Sequence, residues 1–274
     1  MSNSDIQNII HTLTEWFKKT GDCVIATSGG IDSMVLAYIA HQAIPQQVII
    51  AHSTSVSVPT LDAARVRLYA EKYHWALQLI EAGELNNTTY RSNPVNRCYY
   101  CKCSLFTQLQ KLQHGALVTG TNLDDLGDYR PGLIAAKEQG VLQPYVKLSI
   151  NKATIRKLAE HLQLNDLKDI PASPCLASRI ETGISIEPTY LEVVDKIENH
   201  ARKALQTDIV RFRIRKETVA LELTPERLQQ LSTPQQEALL SYIKQTITPL
   251  TIPQTIQFVP YQQGSAFIGV KHLE

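Results

Sequence analysis

The chain has 274 residues, 43% of them hydrophobic, which is enough for one large domain or for a large and a smaller one, each with its own core. Its formal net charge of +1 advertises no extended polyanion and argues against duplex nucleic acid as the main partner. The N-terminal residues show no basic region ahead of an apolar stretch, and no window reaches the roughly 18 apolar residues of a membrane span, so a cytoplasmic protein is expected. In that compartment the five cysteines divide between core filler and chemistry rather than forming a disulfide framework.

Ile6, Ile9, Ile10, Leu13 and Phe17 recur at helical spacing, and Ser4 with Gln7 three places on reads as a capping box, so the chain opens with an amphipathic helix. The apolar run Cys23-Val24-Ile25 then reads as a buried strand, with Cys23 as filler. It feeds Ala26-Thr27-Ser28-Gly29-Gly30-Ile31-Asp32-Ser33, and residues 34–40 read as a helix. Strand, glycine turn and helix together bring a backbone close to a ligand and offer it free N–H groups and a partial positive charge. Such a site suits phosphate. No Lys follows the glycines as in a Walker A loop, and there is no G-x-G-x-x-G. The plain alternative is an ordinary strand-to-helix turn with Asp32 in the first helical turn. The segment SGGIDS at 28–33 resembles the PP-loop of ATP pyrophosphatases, which split ATP into AMP and pyrophosphate to activate an oxygen as an adenylate.

Residues 48–52 suit a second buried parallel strand, 53–57 its carboxyl end, 61–74 a helix and 76–80 a third strand. This alternation predicts an α/β fold with a doubly wound, mostly parallel sheet. Residues 93–102 interrupt it with a C-x-x-C pair, Cys98 and Cys101, before helix 105–112 and strand 116–118. The polar loop 119–132 follows. There Asp124, Asp125 and Asp128 are candidates for a Mg²⁺ site, since Mg²⁺ takes one or two carboxylates plus phosphate oxygens; capping of the next helix is the competing reading.

Residues 149–162 form a further predicted helix. Pro171 and Pro174 then hold 169–179 as a non-helical loop that carries Cys175, with Arg179 four residues on, which makes this thiol a candidate low-pKa nucleophile. A helix over 190–205 opens a smaller α+β domain, and the expected division is 1–185 and 186–274. Residues 210–215 and 219–223 alternate strictly about a Lys216-Glu217 turn, setting Arg211 opposite Glu222. That pair reads either as an ion pair on a solvated face or, with three arginines on one side of the strand, as part of a phosphate contact. A helix over 228–246 and a strand pair within 254–270 close the chain.

SGGIDS, the loop GTNLDDLGDYRPG at 120–132 and PCLASR at 174–179 together resemble the LarE family, ATP-dependent sulfur transferases that help build the nickel-pincer cofactor of lactate racemase. The resemblance spans most of the first 180 residues and extends more weakly through the RFRIR and ALEL strands. It implies a small-molecule substrate, a pyridinium biscarboxylate mononucleotide, whose carboxylates are activated by AMP and converted to thiocarboxylates. On the ATP side it points to Ala26, Ser28, Gly29, Gly30, Asp32 and Ser33, with Gly120, Thr121 and Asp125 from the second loop. It further implies sulfur chemistry at Cys175 and contacts to the substrate's phosphate or carboxylate from Arg179, Arg211 and Arg213, with Glu222 near them. Gln262 follows Tyr261 where the family pattern has an arginine.

Family members with one cysteine give up its own sulfur, whereas those with three bind a [4Fe–4S] cluster with one open iron. Cys98, Cys101 and Cys175 fill all three positions, so a cluster and a cluster or sulfide donor are expected. Read without the resemblance, C-x-x-C also fits a redox pair, half a zinc site with Cys103 as an awkward fourth ligand, or plain packing. A tRNA 2-thiolation enzyme is the second enzyme reading, disfavoured by the balanced charge; a nucleotide-binding regulator and an amide ligase are further ones. Self-association is plausible for a two-domain chain with an exposed β-ribbon.

Overall fold

The computed structural model describes residues 2–127 and 131–268; Asp128, Tyr129 and Arg130 of the second loop, and Val270 of the expected last strand, lie outside them. The chain divides into two compact units, Met1–Glu84 with Cys98–Ser173, and Leu85–Arg97 with Pro174–Glu274. Residues 174–185, assigned by sequence to the first domain, thus belong with the second unit, as do residues 85–97.

The first unit is built on β1 (Cys23–Ala26), β2 (Val48–Ser53), β3 (Leu77–Ile80) and β4 (Ala116–Thr119), all parallel, in the order β3-β2-β1-β4. Six of its helices matter here: α1 (Asn3–Thr20), α2 (Ile31–Ala43), α3 (Thr60–Tyr73), α4 (Arg97–Gln110), α5 (Pro131–Glu138) and α6 (Lys152–His161). Strand β1 shows why helices cover both faces. Successive side chains point to opposite sides, so Cys23 and Ile25 join Phe17, Leu36, Val66 and Leu158 in one core, while Val24 joins Phe106, Leu109 and Ala135 in another. Cys23 is fully buried, which pushes its thiol up to about 12 and makes it filler as expected. Helix α1 is capped by Ser2 with Asp5, not by Ser4 with Gln7. Both pairs have the right spacing, and the earlier one adds two residues of helix.

The second unit contains α7 (Pro188–Leu205), β5 (Val210–Ile214), β6 (Val219–Leu223), α8 (Thr233–Ile247) and β7 (Ile256–Pro260). Strands β5 and β6 are antiparallel, and β7 adds to β6 in parallel. The expected single helix 228–246 is two: a short one, Pro225–Gln229, and α8, which restarts on a Ser232–Gln235 capping box with Pro234 in its first turn. Among the described residues the expected last strand pair is one strand, β7, and residues 261–268 are irregular. Asn93 fastens the 85–97 segment to this unit: its buried Nδ2 donates to the carbonyls of Glu181 at 2.8 Å and Ile184 at 2.9 Å. Among the described residues no helix is long and apolar enough to cross a membrane.

Leu36 lies at the centre of the first core with no exposed surface. Leu36→Ala should cost about 2–5 kcal/mol of stability, read as a fall in the urea midpoint of the first unit.

Candidate functional site

Strand β1 ends at Ala26, and the Thr27 N–H still donates to Ala51 O at 2.8 Å before the chain turns. Gly29 sits at φ 88°, and a Cβ there would lie 2.6 Å from the Asp62 carbonyl oxygen, so only glycine fits. The Ser33 hydroxyl closes the turn from inside, accepting from Ser28 N at 3.1 Å and donating to Gly30 O at 3.0 Å. Gly30 is the N-cap of α2 and supplies no side chain to cap it. The helix therefore begins with backbone donors that no capping side chain satisfies, which is the requirement for anion binding.

Strand β4 pairs with β1 in register, Ala26 opposite Thr119, so the loop after β4 starts beside the glycine turn. Gly120 makes the approach close: a Cβ on it would lie 2.8 Å from Ser33 N and 2.9 Å from the Asp32 carbonyl carbon. Thr121 follows, its hydroxyl 3.2 Å from that of Thr119. Asp125 accepts from Asn122 N at 3.1 Å and Asp124 from Lys152 N at 2.8 Å, so Asp124 serves the start of α6. Asp32 Oδ2 stands 3.6 Å from Lys152 Nζ, while its Oδ1 is buried without a hydrogen-bond partner. Burial raises the Asp32 carboxyl above its ordinary value; Lys152 opposes the shift and Asp125 adds to it. The ATP-side residues named from sequence are thus gathered at the carboxyl ends of two adjacent parallel strands, where open α/β sheets bind ligands.

Several residues around this turn carry no motif. Arg65 Nη1 donates to Gly29 O at 2.7 Å and to Asp62 Oδ1 at 2.6 Å, and the Ser173 hydroxyl donates to Asp62 Oδ2 at 2.6 Å. Buried His52 points Nδ1 at Thr27 O, 2.8 Å away, leaving Nε2 as a buried acceptor without a partner; burial lowers its pKa and keeps the ring neutral. Glu84 accepts from the hydroxyls of Ser57, at 3.0 Å, and Ser55, fixing the loop after β2. Asp62 and Arg65 have the i,i+3 spacing of a helical ion pair, but nothing in the sequence aims them at Gly29.

In the second unit Cys175 is exposed and caps a short 3₁₀ turn, Leu176–Arg179. Arg179 does not serve as a free cation beside the thiol. It is fully buried, donates to the Cys175 carbonyl at 3.1 Å and to that of Pro174, and grips Glu198 through Nε and Nη2 at 2.9 and 3.0 Å. Arg211 lies opposite Glu222 as the two-residue turn predicts, but the face is buried rather than solvated. Glu222 is bound instead by Arg213 at 3.0 Å, Arg215 at 2.9 Å and the Ser265 hydroxyl at 2.6 Å. Arg211 donates to Val210 O at 2.7 Å and lies 5.8 Å from the Tyr261 ring centre; burial and the nearby Arg179 bring it down to about 10. Gln262 contributes its carbonyl to Arg213 Nη2 at 3.3 Å. Cys98 and Cys101 lie three apart on α4, hence on one side of that helix, and none of the five cysteines forms a disulfide. Among the described residues no three His, Cys, Asp or Glu side chains are gathered as a metal site.

The parallel sheet, the uncapped glycine turn on β1 and the small mixed sheet define an α/β protein of the PP-loop kind with a C-terminal α+β unit. The chain belongs to one family with an uncharacterized protein of Synechocystis sp., to which it is 34% identical over 229 residues, 82% of this chain and 85% of that one. An uncharacterized protein of Methanocaldococcus jannaschii is 30% identical over 217 residues, 78% of this chain and 81% of the other. More distant is a pyridinium-3,5-bisthiocarboxylic acid mononucleotide synthase of Lactiplantibacillus plantarum, 25% identical over 224 residues, 79% of this chain and 80% of that one. No family model matches the chain.

Glu198 gives the second unit a definite pH response. Burial opposes its charge, but Arg179 and Arg202 outweigh that and hold the carboxyl below its usual 4.5. A depressed carboxyl contributes stability that is present above the unfolded pKa and is lost as pH falls through the folded one. The second unit should therefore lose stability progressively below about pH 4.5. Glu198→Gln should flatten that acid limb in a pH series of urea melts while costing about 3–5 kcal/mol at neutral pH, because two arginines lose their partner.

Proposed function

We propose that the chain is an ATP-dependent sulfur transferase that activates a carboxylate of a pyridinium-3,5-biscarboxylate mononucleotide and converts it to a thiocarboxylate. The observation that carries this reading is the meeting of the glycine turn with Gly120 and Asp32, and the similarity to the L. plantarum synthase supports it. The ATP phosphates lie on the N–H groups of residues 28–33, where the start of α2 favours negative charge. Asp32 suits a Mg²⁺ ion, since its Oδ1 is buried without a protein donor and a divalent cation would offset the burial that raises its carboxyl. Asp125, whose charge is felt at Asp32, is the second carboxylate for that ion, with phosphate oxygens completing the shell.

A substrate carboxylate oxygen attacks the α-phosphorus, pyrophosphate leaves, and the product is an acyl adenylate. Sulfur then displaces AMP from the activated carbonyl carbon. AMP is a good leaving group, so the main task is placing sulfur about 3–3.5 Å from that carbon. Acting by itself, the Cys175 thiolate, exposed on a turn that Arg179 holds by its carbonyls, displaces AMP to give a thioester, and loss of its Cα proton with cleavage of its Cβ–S bond then releases the thiocarboxylate and leaves dehydroalanine. Thiolates are the usual iron–sulfur ligands, and Cys98 and Cys101 offer two from one side of α4. Held by these and Cys175, a [4Fe–4S] cluster would supply an iron site able to carry an extra sulfide. In the second unit Arg179 and Arg202 bind buried Glu198, Arg213 and Arg215 bind buried Glu222, and the guanidinium of Arg211 on the same strand suits the substrate's phosphate.

Pyrophosphate release measured with ATP, Mg²⁺ and the biscarboxylate mononucleotide tests the reading. Release should depend on that substrate and fall at least about 100-fold in Asp32→Asn. Release without substrate, or no release at all, would sink it. Cys175→Ala should keep pyrophosphate release and lose thiolated product. Protein purified without oxygen should contain iron and acid-labile sulfide, and Cys98→Ala should lose both; iron-free wild-type protein from the same preparation would contradict the cluster.

A further inference from the structure

Arg97 opens α4 and is 1% exposed, one of the largest fully buried side chains. Its Nη1 donates to Asn93 Oδ1 at 2.8 Å, and Asn93 is itself fixed by carbonyls through its Nδ2. The ring of Phe267 lies against one face, 4.1 Å from the guanidinium carbon to the ring centre. The remaining edge, Nε and Nη2, is buried with no hydrogen-bond partner. Leaving two donors of a permanently charged group unmade in the interior is costly, because desolvation is not offset by any acceptor.

Arg179 in the same unit shows what this edge accepts. Its Nε and Nη2 hold the two oxygens of Glu198 side by side at 2.9 and 3.0 Å, the bidentate arrangement that matches a guanidinium to a planar carboxylate. Arg97 presents the same pair of donors, oriented by Asn93, with a flat aromatic face beside them and no carboxylate of the described residues in salt-bridge contact.

We propose that the Nε/Nη2 edge of Arg97 is a binding position for the carboxylate of a small organic acid, with Phe267 as the surface that borders it. Two oxygens of a phosphate present the same pair of acceptors, so phosphate shares this chemistry. The inference concerns binding alone and stands whether or not the chain transfers sulfur. Because the edge is buried, an incoming acid must shift the irregular 261–268 segment that carries Phe267.

Isothermal titration of the full chain with benzoate, and separately with inorganic phosphate, at constant ionic strength held with chloride, tests this. Wild type should bind benzoate saturably, and Arg97→Lys, which keeps the charge but lacks the fork, should bind it at least tenfold more weakly. Should Arg97→Lys fail to fold, the arginine Nε–H resonances of ¹⁵N-labelled wild type give the same answer: one buried Nε–H signal should move with benzoate. Tighter binding of phosphate than of benzoate, with the same dependence on Arg97, supports the shared edge and assigns it to phosphate. No saturable binding of either anion, equal binding by Arg97→Lys, or unmoved Nε–H signals overturns the proposal, leaving Arg97 as a packing residue held by Asn93 and Phe267.

Discussion

Pairing of β1 with β4 is the contact on which the first unit's candidate site rests. Two neighbouring parallel strands release their chains at the same level, so the turn after Ala26 and the loop after Thr119 emerge side by side. Gly120 then decides how close they come, because any Cβ there would strike the backbone of Ser33 and Asp32. The result places the uncapped start of α2, the Asp32 carboxylate and the Asp125 turn in one small volume. Arg65 and Asp62 brace the far side of Gly29.

The second unit uses buried charge for a comparable end. Removing a glutamate and two arginines from water is expensive, and such groups often contribute little net stability. Here they fix geometry. Arg179 ties the carbonyls of Pro174 and Cys175 to Glu198 on α7, and Arg213 ties Ser178 to Glu222 on β6, so the six residues from Pro174 to Arg179 are held from the inside while the Cys175 side chain stays in solvent. In the proposed sulfur transfer, a thiol on a main chain pinned in this way would lose little entropy on meeting a second reactant.

Much of the fold was legible in the sequence because its signals are local. The run Cys23-Val24-Ile25, the glycine turn and the alternation around Lys216-Glu217 each follow from periodicity, and the last fixed the pairing of Arg211 with Glu222. Pattern alone failed where two local choices were equally good, as with the caps at Ser2 and Ser4, and where a proline restarted a helix instead of sitting inside it. Burial was the larger gap. A strand rich in arginine reads as half solvated, and only the tertiary packing of α7 against β5 with Glu198 between them reveals that both of its faces are covered. Asp62, Arg65, His52, Glu84 and Arg97 were missed for the same reason, since each acts on a partner distant in sequence or through an atom left unpartnered.

The account as a whole depends on a nucleotide sitting at the meeting of two strand ends. A crystal structure of the protein with Mg²⁺ and a non-hydrolysable ATP analogue tests this most directly. The triphosphate should lie against the N–H groups of residues 28–33, with the metal ion on Asp32 and the nucleotide bordered by Gly120 and Thr121. A triphosphate bound elsewhere, with the Asp32 carboxylate still without a ligand, would contradict it.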